Sequence, residues 1–391
     1  MPAGRAARFP LGAAVTLHEL DKDPHPVLAR LRPSEPVSWL PALNGWLVTR
    51  RDLALQVMRD AETFTVDDPR FSTGVVVGPS MLTLDGAEHK RHRAPFAEPF
   101  KLAAVRARFT GPVEAETDRL IDALEPAGSA ELRRALAGPL ATAIVVLALG
   151  IPGARTAEVL AWYDAIVASV VSITEGDGPT EAGRQGFGAL SEAMAPALDA
   201  DPSASLLAAA AGAAGGLEHD RVISNAAVLL FGGIETTEGM IANAVAHLLA
   251  DPAQLAAVRE DASLLPNAIE ESLRLEPAAA VVDRYSTRPT ELAGAEIAER
   301  ELVTVSIAGA NRDPDVFAAP DAFDVRRENA RLHAAFAAGP HVCIGMHLAR
   351  LEAVTAVRRL LERLPGLRLD GDPPAARGLV FRKPPALLVR W

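Results

Sequence analysis

Phe336-Ala337-Ala338-Gly339-Pro340-His341-Val342-Cys343-Ile344-Gly345 holds the single cysteine of a 391-residue chain. The apolar residues that follow recur at helical spacing: Met346, Leu348, Leu351, Val354, Val357, Leu360 and Leu361. Cys343 therefore sits in a glycine-bearing loop where a helix begins, and the free N–H groups and dipole there favour a thiolate. One thiolate makes a poor zinc site, which wants about four ligands. It suits the axial position of haem iron, where thiolate donation favours cleavage of bound dioxygen. A lone cysteine also excludes an internal disulfide, compatible with a reducing cytoplasm.

Working outward, hydrophobic residues make up 49% of the chain and the formal net charge is -11. Diffuse acidity argues against nucleic acid or an anionic membrane as the main partner. Single cores usually stop growing near ~250–300 residues, so two domains or one large helical domain are both open. No apolar run follows Arg5 and Arg8, so no signal peptide is read. The uncharged stretch 135–154 approaches membrane-span length, but Pro139, Gly150 and Pro152 interrupt it. It reads as a buried core helix ending near Gly150.

From about Pro95 to Leu275 the pattern is almost wholly helical, with breaks at Pro126-Ala127-Gly128, Pro152-Gly153, Gly176-Asp177-Gly178-Pro179, Asp201-Pro202 and Gly215-Gly216. Trp46 to Thr49, after the Asn44-Gly45 turn, reads as a strand, and Asp52 to Met58 as a helix. Gly74 to Pro79 reads as an apolar loop. Strand-like pieces return at Leu302 to Ile307 and Leu387 to Val389. The longest helix is predicted from near Glu218 to Ala250, where Asp251-Pro252 stops it. Its middle, Gly232-Gly233-Ile234-Glu235-Thr236-Thr237, sets two glycines, a charge and two β-branched residues inside an apolar run. Local rules broken together mark a site.

The cysteine segment resembles the haem-binding signature of the cytochrome P-450 superfamily, with matches at Phe336, Gly339, His341, Cys343 and Gly345. The long helix resembles that family's oxygen-binding helix at Gly232 to Thr236. Glu271-Ser272-Leu273-Arg274 resembles its Glu-x-x-Arg motif, and Phe323-Asp324 with Arg327 the segment completing that network. Asn311-Arg312-Asp313-Pro314 and the ending Val389-Arg390-Trp391 resemble stretches frequent in bacterial members, and Asp85 to Arg93 the helix that meets the haem propionates. Three departures affect loop shape, the first being that the usual Asp-Pro-Pro-Glu-His stretch reads Asp85-Gly86-Ala87-Glu88-His89. The Gly usual after the Phe is Ala337, and an expected Pro-x-Gly turn reads Ala298-Glu299-Arg300.

The resemblance implies a mainly α fold with small β-sheets, spanning 1–391 as a single haem domain with no fused reductase. It implies haem b ligated by Cys343, with His89, Arg93, Arg284 and His341 at the propionates. Gly232 and Gly233 would let the helix lie close to the haem. Thr236 would hydrogen-bond bound oxygen, with Glu235 linking it to solvent, and Glu271, Arg274 and Arg327 would form a structural network. Val75 to Val77, Leu230, Ile234, Ala279 to Val281 and Phe381 would wall an apolar substrate pocket. The implied activity is insertion of one oxygen atom from dioxygen into a small, mostly apolar molecule, by hydroxylation or epoxidation. Desaturation, oxidative coupling or peroxide-driven oxidation stays open as a second reading, and a non-catalytic haem sensor or carrier as a third. Electrons would come from a separate ferredoxin and ferredoxin reductase, docked at Lys90, Arg91, His92 and Lys101. No membrane span and a cytoplasmic location are expected.

Overall fold

The computed structural model describes residues 2–151, 156–175, 177–201, 205–213 and 216–391. The breaks expected at Pro152-Gly153, Gly176, Pro202 and Gly215 lie outside them. The architecture is organised by one helix, His219–Ala250, 32 residues long and therefore ~48 Å from end to end. It starts within one residue of its expected origin and stops where Asp251 caps the next helix, Pro252–Glu260. Most of its residues are buried, because helices pack round it on several sides: Gly138–Leu149, Leu265–Leu275, Met346–Arg363 and Glu181–Leu198. A stripe cannot serve so many neighbours, so the helix is apolar nearly all round.

The uncharged stretch forms Gly138–Leu149, with Ile144, Ala148 and Leu149 fully buried. Gly150 ends it at φ +72°. This is the buried core helix expected. A different helix has the length and hydropathy of a membrane span, Thr156–Ile173, with a mean of 1.4. Its Val159, Tyr163, Ile166 and Val170 face inward, and it packs along Glu181–Leu198.

The larger sheet runs in the order Val37–Leu40, Gly45–Val48, Leu302–Ser306, Val281–Ser286, Phe64–Thr65. Gly45–Val48 pairs parallel with Leu302–Ser306 and the other pairings are antiparallel. A three-stranded sheet sets the C-terminal strand Leu388–Arg390 between Ser129–Glu131 and Arg368–Leu369, and Thr290–Leu292 pairs with Ala295–Ile297 as a separate hairpin. The segment read as an apolar loop is a short helix, Ser72–Val77. Gly74 misled the reading. Its added Cβ would meet Thr83 at 3.3 Å, so it serves a close approach, not a turn.

Two of these departures put a residue other than glycine at left-handed backbone. Ala337 has φ +59° and Arg300 φ +65°, positions that glycine occupies without the clash a Cβ brings.

Candidate active site

Cys343 is half-buried in the loop before Met346–Arg363. Its N–H donates to the Phe336 carbonyl at 2.9 Å, closing the loop on itself. Burial pushes the thiol up, against the N–H groups of Gly345 and Met346 and the charges of Arg93 and Arg350, which pull it down. The helix start alone does not make a thiolate here. A bound metal cation would, because coordination deprotonates a thiol outright.

Four cationic or imidazole side chains converge from separate elements. His89 and Arg93 lie one turn apart on Gly86–Ala97, Arg284 on the strand Val281–Ser286, and His341 two residues before the cysteine. His89 is buried and its Nε2 has no hydrogen-bond partner among the described residues. Its ring lies 4.4 Å from that of His341. Burial, then the charges of His341 and Arg93, lower the His89 pKa to about 4, so it is neutral at pH 7. Arg93 donates to the Val342 carbonyl at 2.7 Å, and buried Arg284 to the Asp283 carbonyl at 2.7 Å. Among the described residues neither guanidinium forms an ion pair. His341 is different, because its Nε2 is 2.7 Å from Asp85. Burial alone would raise that carboxyl. Hydrogen bonds from His341, Thr65 and the Val66 N–H outweigh it and hold Asp85 at about 2.

The two glycines of the central helix divide their work. A Cβ on Gly233 would meet Val145 at 3.2 Å, so Gly233 serves packing against Gly138–Leu149, not the haem side as expected. A Cβ on Gly232 would meet nothing within 4 Å among the described residues. Thr236, one turn on, donates to the Gly232 carbonyl at 2.5 Å. At about 100° per residue, Leu230 and Ile234 point away from that face. Both are fully buried core residues, which corrects their placement in a pocket wall. Val75 is 44% exposed and Val77 is 2% exposed, so neither reads as an open wall. Ala279 and Val281 are half-buried, and Ala279 bridges to Phe381. Phe381 does adjoin the central helix, edge-on to Phe231 at 5.4 Å.

Glu235 does not reach solvent as expected. It is 7% exposed and sealed from two sides. Tyr163, on Thr156–Glu175, donates to its Oε2. Lys383 lies 2.7 Å from Oε1 and also 2.7 Å from Glu238, which is held in turn by Arg133 at 2.9 Å. The result is a buried cluster of two acids and two bases. Sequence reasoning missed Tyr163, Lys383, Glu238 and Phe231. Signals existed, since Lys383 is one of four lysines in an arginine-based chain and Glu238 lies at i+3 from Glu235.

On the cysteine side, fully buried Glu271 takes a fork from Arg274 at 2.7 and 2.8 Å and a third bond from Arg327 at 2.9 Å. Both guanidiniums then donate to carbonyls of the segment before the cysteine loop, including Pro320, Ala318 and Ala322. Of the basic cluster, Lys90, Arg91 and Lys101 are exposed. His92 is not part of it, being 2% exposed and 2.9 Å from Asn225. Arg106 and Arg108 add exposed charge instead.

A soft sulfur ligand, buried cations without carboxylates, an orphaned imidazole nitrogen and a glycine face open beyond 4 Å fit a planar, doubly anionic metal macrocycle. The class these define is a thiolate-ligated haem protein. A family model for cytochrome P-450 matches residues 199–388. The chain is 35% identical to the cytochrome P-450 monooxygenase PikC of Streptomyces venezuelae, over 94% of this chain and 91% of that one. It is 33% identical to nocardicin C N-oxygenase of Nocardia uniformis, over 98% of each. The crystal structure of CalO2 superposes with TM-score 0.87 at 28% identity, covering 96% of this chain and 98% of that one. The chain belongs to the cytochrome P-450 family of haem-thiolate monooxygenases, which use cysteine-ligated haem b and dioxygen. Cys343, the only cysteine, is the axial ligand.

Proposed function

We propose that this enzyme inserts one oxygen atom into a small, mostly apolar organic molecule, using electrons from separate cytoplasmic redox proteins, and that 1–391 is a single haem domain. When bound, haem supplies the activation of dioxygen. The chain's residues do the rest. Arg93, Arg284 and His89 would hold the propionates, with His341, oriented by Asp85, beside them. Gly232 leaves room against the macrocycle, and the Thr236 hydroxyl offers a hydrogen bond one turn on. Glu235, within its cluster, is the acid–base group next to it. The observation that carries the reading is a hydroxyl, Thr236, one turn from the open glycine, with the buried carboxylate Glu235 on the preceding residue and Lys383 behind it, groups able to relay protons for oxygen cleavage. A sensor or carrier has no use for such a relay. Phe231 and Phe381, edge-on at 5.4 Å, favour an apolar substrate.

Turnover with a surrogate ferredoxin and reductase, read by product mass, tests this. A product heavier by one oxygen supports it. Loss of two hydrogens, or product only with added peroxide, selects the other oxidase reading. For docking, exposed Lys90, Lys101, Arg106 and Arg108 steer an acidic ferredoxin. Charge reversal at Lys90 and Arg106 is expected to slow reduction at low salt, and an unchanged salt dependence would sink the assignment.

A further inference from the structure

Glu270 directly precedes the Glu271 network, yet points into a second one. Its carboxylate is 2% exposed. Arg350 grips it with a fork, Nε at 2.6 Å and a terminal nitrogen at 2.9 Å. His333 Nε2 lies 3.0 Å from the same carboxylate. His333 Nδ1 accepts the Ala335 N–H at 3.1 Å, so the ring proton sits on Nε2 and is donated to Glu270. Both partners of Glu270 then touch Phe336. The Arg350 guanidinium lies over its ring at 4.5 Å, and the His333 ring is 5.8 Å away. Phe336 in turn accepts the Cys343 N–H.

We propose that Glu270, His333 and Arg350 are positioning residues for the Cys343 ligand, and that the Glu270–Arg350 pair sets the reduction potential of the bound haem. The proposal rests on the reading of Cys343 as axial ligand. Phe336 is clamped between two side chains that share one anion, so the carbonyl bonded to the cysteine N–H cannot drift. The charges matter separately. Arg350 stands over the ring of the residue whose carbonyl holds the Cys343 N–H, so its charge lies beside the cysteine loop, and Glu270 cancels it through the fork. Burial would raise the Glu270 carboxyl, but His333 and Arg350 outweigh that and hold it at about 2, so the cancelling charge persists at neutral pH. Reduction adds an electron at this place. An unmasked Arg350 favours the reduced state and an unmasked Glu270 opposes it.

The test is a spectroelectrochemical titration of the purified haem-loaded protein and its variants, each also checked as the reduced carbon monoxide complex. Glu270→Gln should raise the midpoint and Arg350→Gln should lower it, each by roughly three- to tenfold in the ferric–ferrous ratio, tenfold being 59 mV for one electron. The double variant should return close to wild type. A merely structural role gives no sign reversal. Single variants that move the midpoint in the same direction, or not at all, overturn the proposal. If Glu270→Gln fails to hold haem, Arg350→Lys and Arg350→Met decide. The lysine variant should keep the midpoint and the methionine variant lower it, and equal midpoints refute the charge argument. A wild-type protein without a strongly red-shifted carbon monoxide band would sink the haem-thiolate reading itself. A normal band with unmoved midpoints sinks only this proposal.

Discussion

Replacing Lys383 with methionine isolates the buried charge cluster on the central helix. Lys383 lies 2.7 Å from both Glu235 and Glu238, and its side chain is only 15% exposed. Arg133 still neutralises Glu238 in the variant, but Glu235 keeps only the Tyr163 hydroxyl. Breaking one side of a buried pair costs ~3–5 kcal/mol, because the abandoned charge stays desolvated. At roughly 2.1 cal/mol/K of unfolding entropy per residue, a chain of this length carries about 0.8 kcal/mol/K. Lys383→Met should therefore lower the thermal midpoint, followed by far-ultraviolet circular dichroism, by about 4–6 °C. Glu235→Gln added to it should recover most of the loss, since the amide needs no counter-charge and still accepts from Tyr163. Methionine keeps the stem length, so lost packing is small. A drop under about 1 °C, or a double variant as unstable as the two singles summed, would refute the claim that Lys383 neutralises Glu235.

Four further outcomes follow from the same structure. Glu271→Gln should cost ~3–5 kcal/mol and release haem, measured as the Soret-to-protein absorbance ratio, because Arg274 and Arg327 lose their shared anion. Ala337→Gly and Arg300→Gly should each stabilise by up to ~1 kcal/mol in urea unfolding, since both residues sit at positive φ. Asp85, Glu270 and Glu276 are all held at about 2, against ordinary values of 3.8, 4.5 and 4.5. The unfolded chain takes up their protons first, so this stability is complete above about pH 5 and should drain away as pH falls toward 2; unfolding at pH 7, 4 and 3 checks it. Glu352 has the opposite sign, with burial alone raising its carboxyl well above 4.5 and Oε2 left without a partner among the described residues. The folded state holds that proton longer, so Glu352→Gln should match wild type at pH 4 and exceed it at pH 8.

Sequence alone exposed whatever is local. The central helix ended at Ala250 because Asp251-Pro252 is a stop that needs no tertiary knowledge. Glu271 and Arg274 are one turn apart, so their bond follows from helix geometry. The cysteine loop carried its own glycines and its own helix start. What escaped were side chains whose meaning depends on which face they occupy. Leu230 and Ile234 look like pocket residues in a run of apolar letters, yet they turn to the core while Gly232 turns to the open face. His92 looks like part of a basic cluster until its ring is found against Asn225.

Long-range partners were hidden for a different reason. The bond from Tyr163 to Glu235 spans 72 positions and that from Lys383 to Glu238 spans 145. No periodicity encodes such pairs. Composition does constrain them, because a charge inside an apolar helix must find its counter-charge somewhere. In a chain with four lysines, one of them placed in the last ten residues deserved matching to Glu235. The same logic applies at the other pole of the site, where Glu270 required a cation and Arg350 required an anion. The two clusters differ in what they brace. The distal one ties a helix, Thr156–Glu175, and the C-terminal segment to the acid of the central helix. The proximal one ties Leu265–Leu275 and Met346–Arg363 to the ring of Phe336. Each makes the chemistry of a single residue, Glu235 or Cys343, depend on elements far away in sequence, which is why neither could be derived from its neighbours.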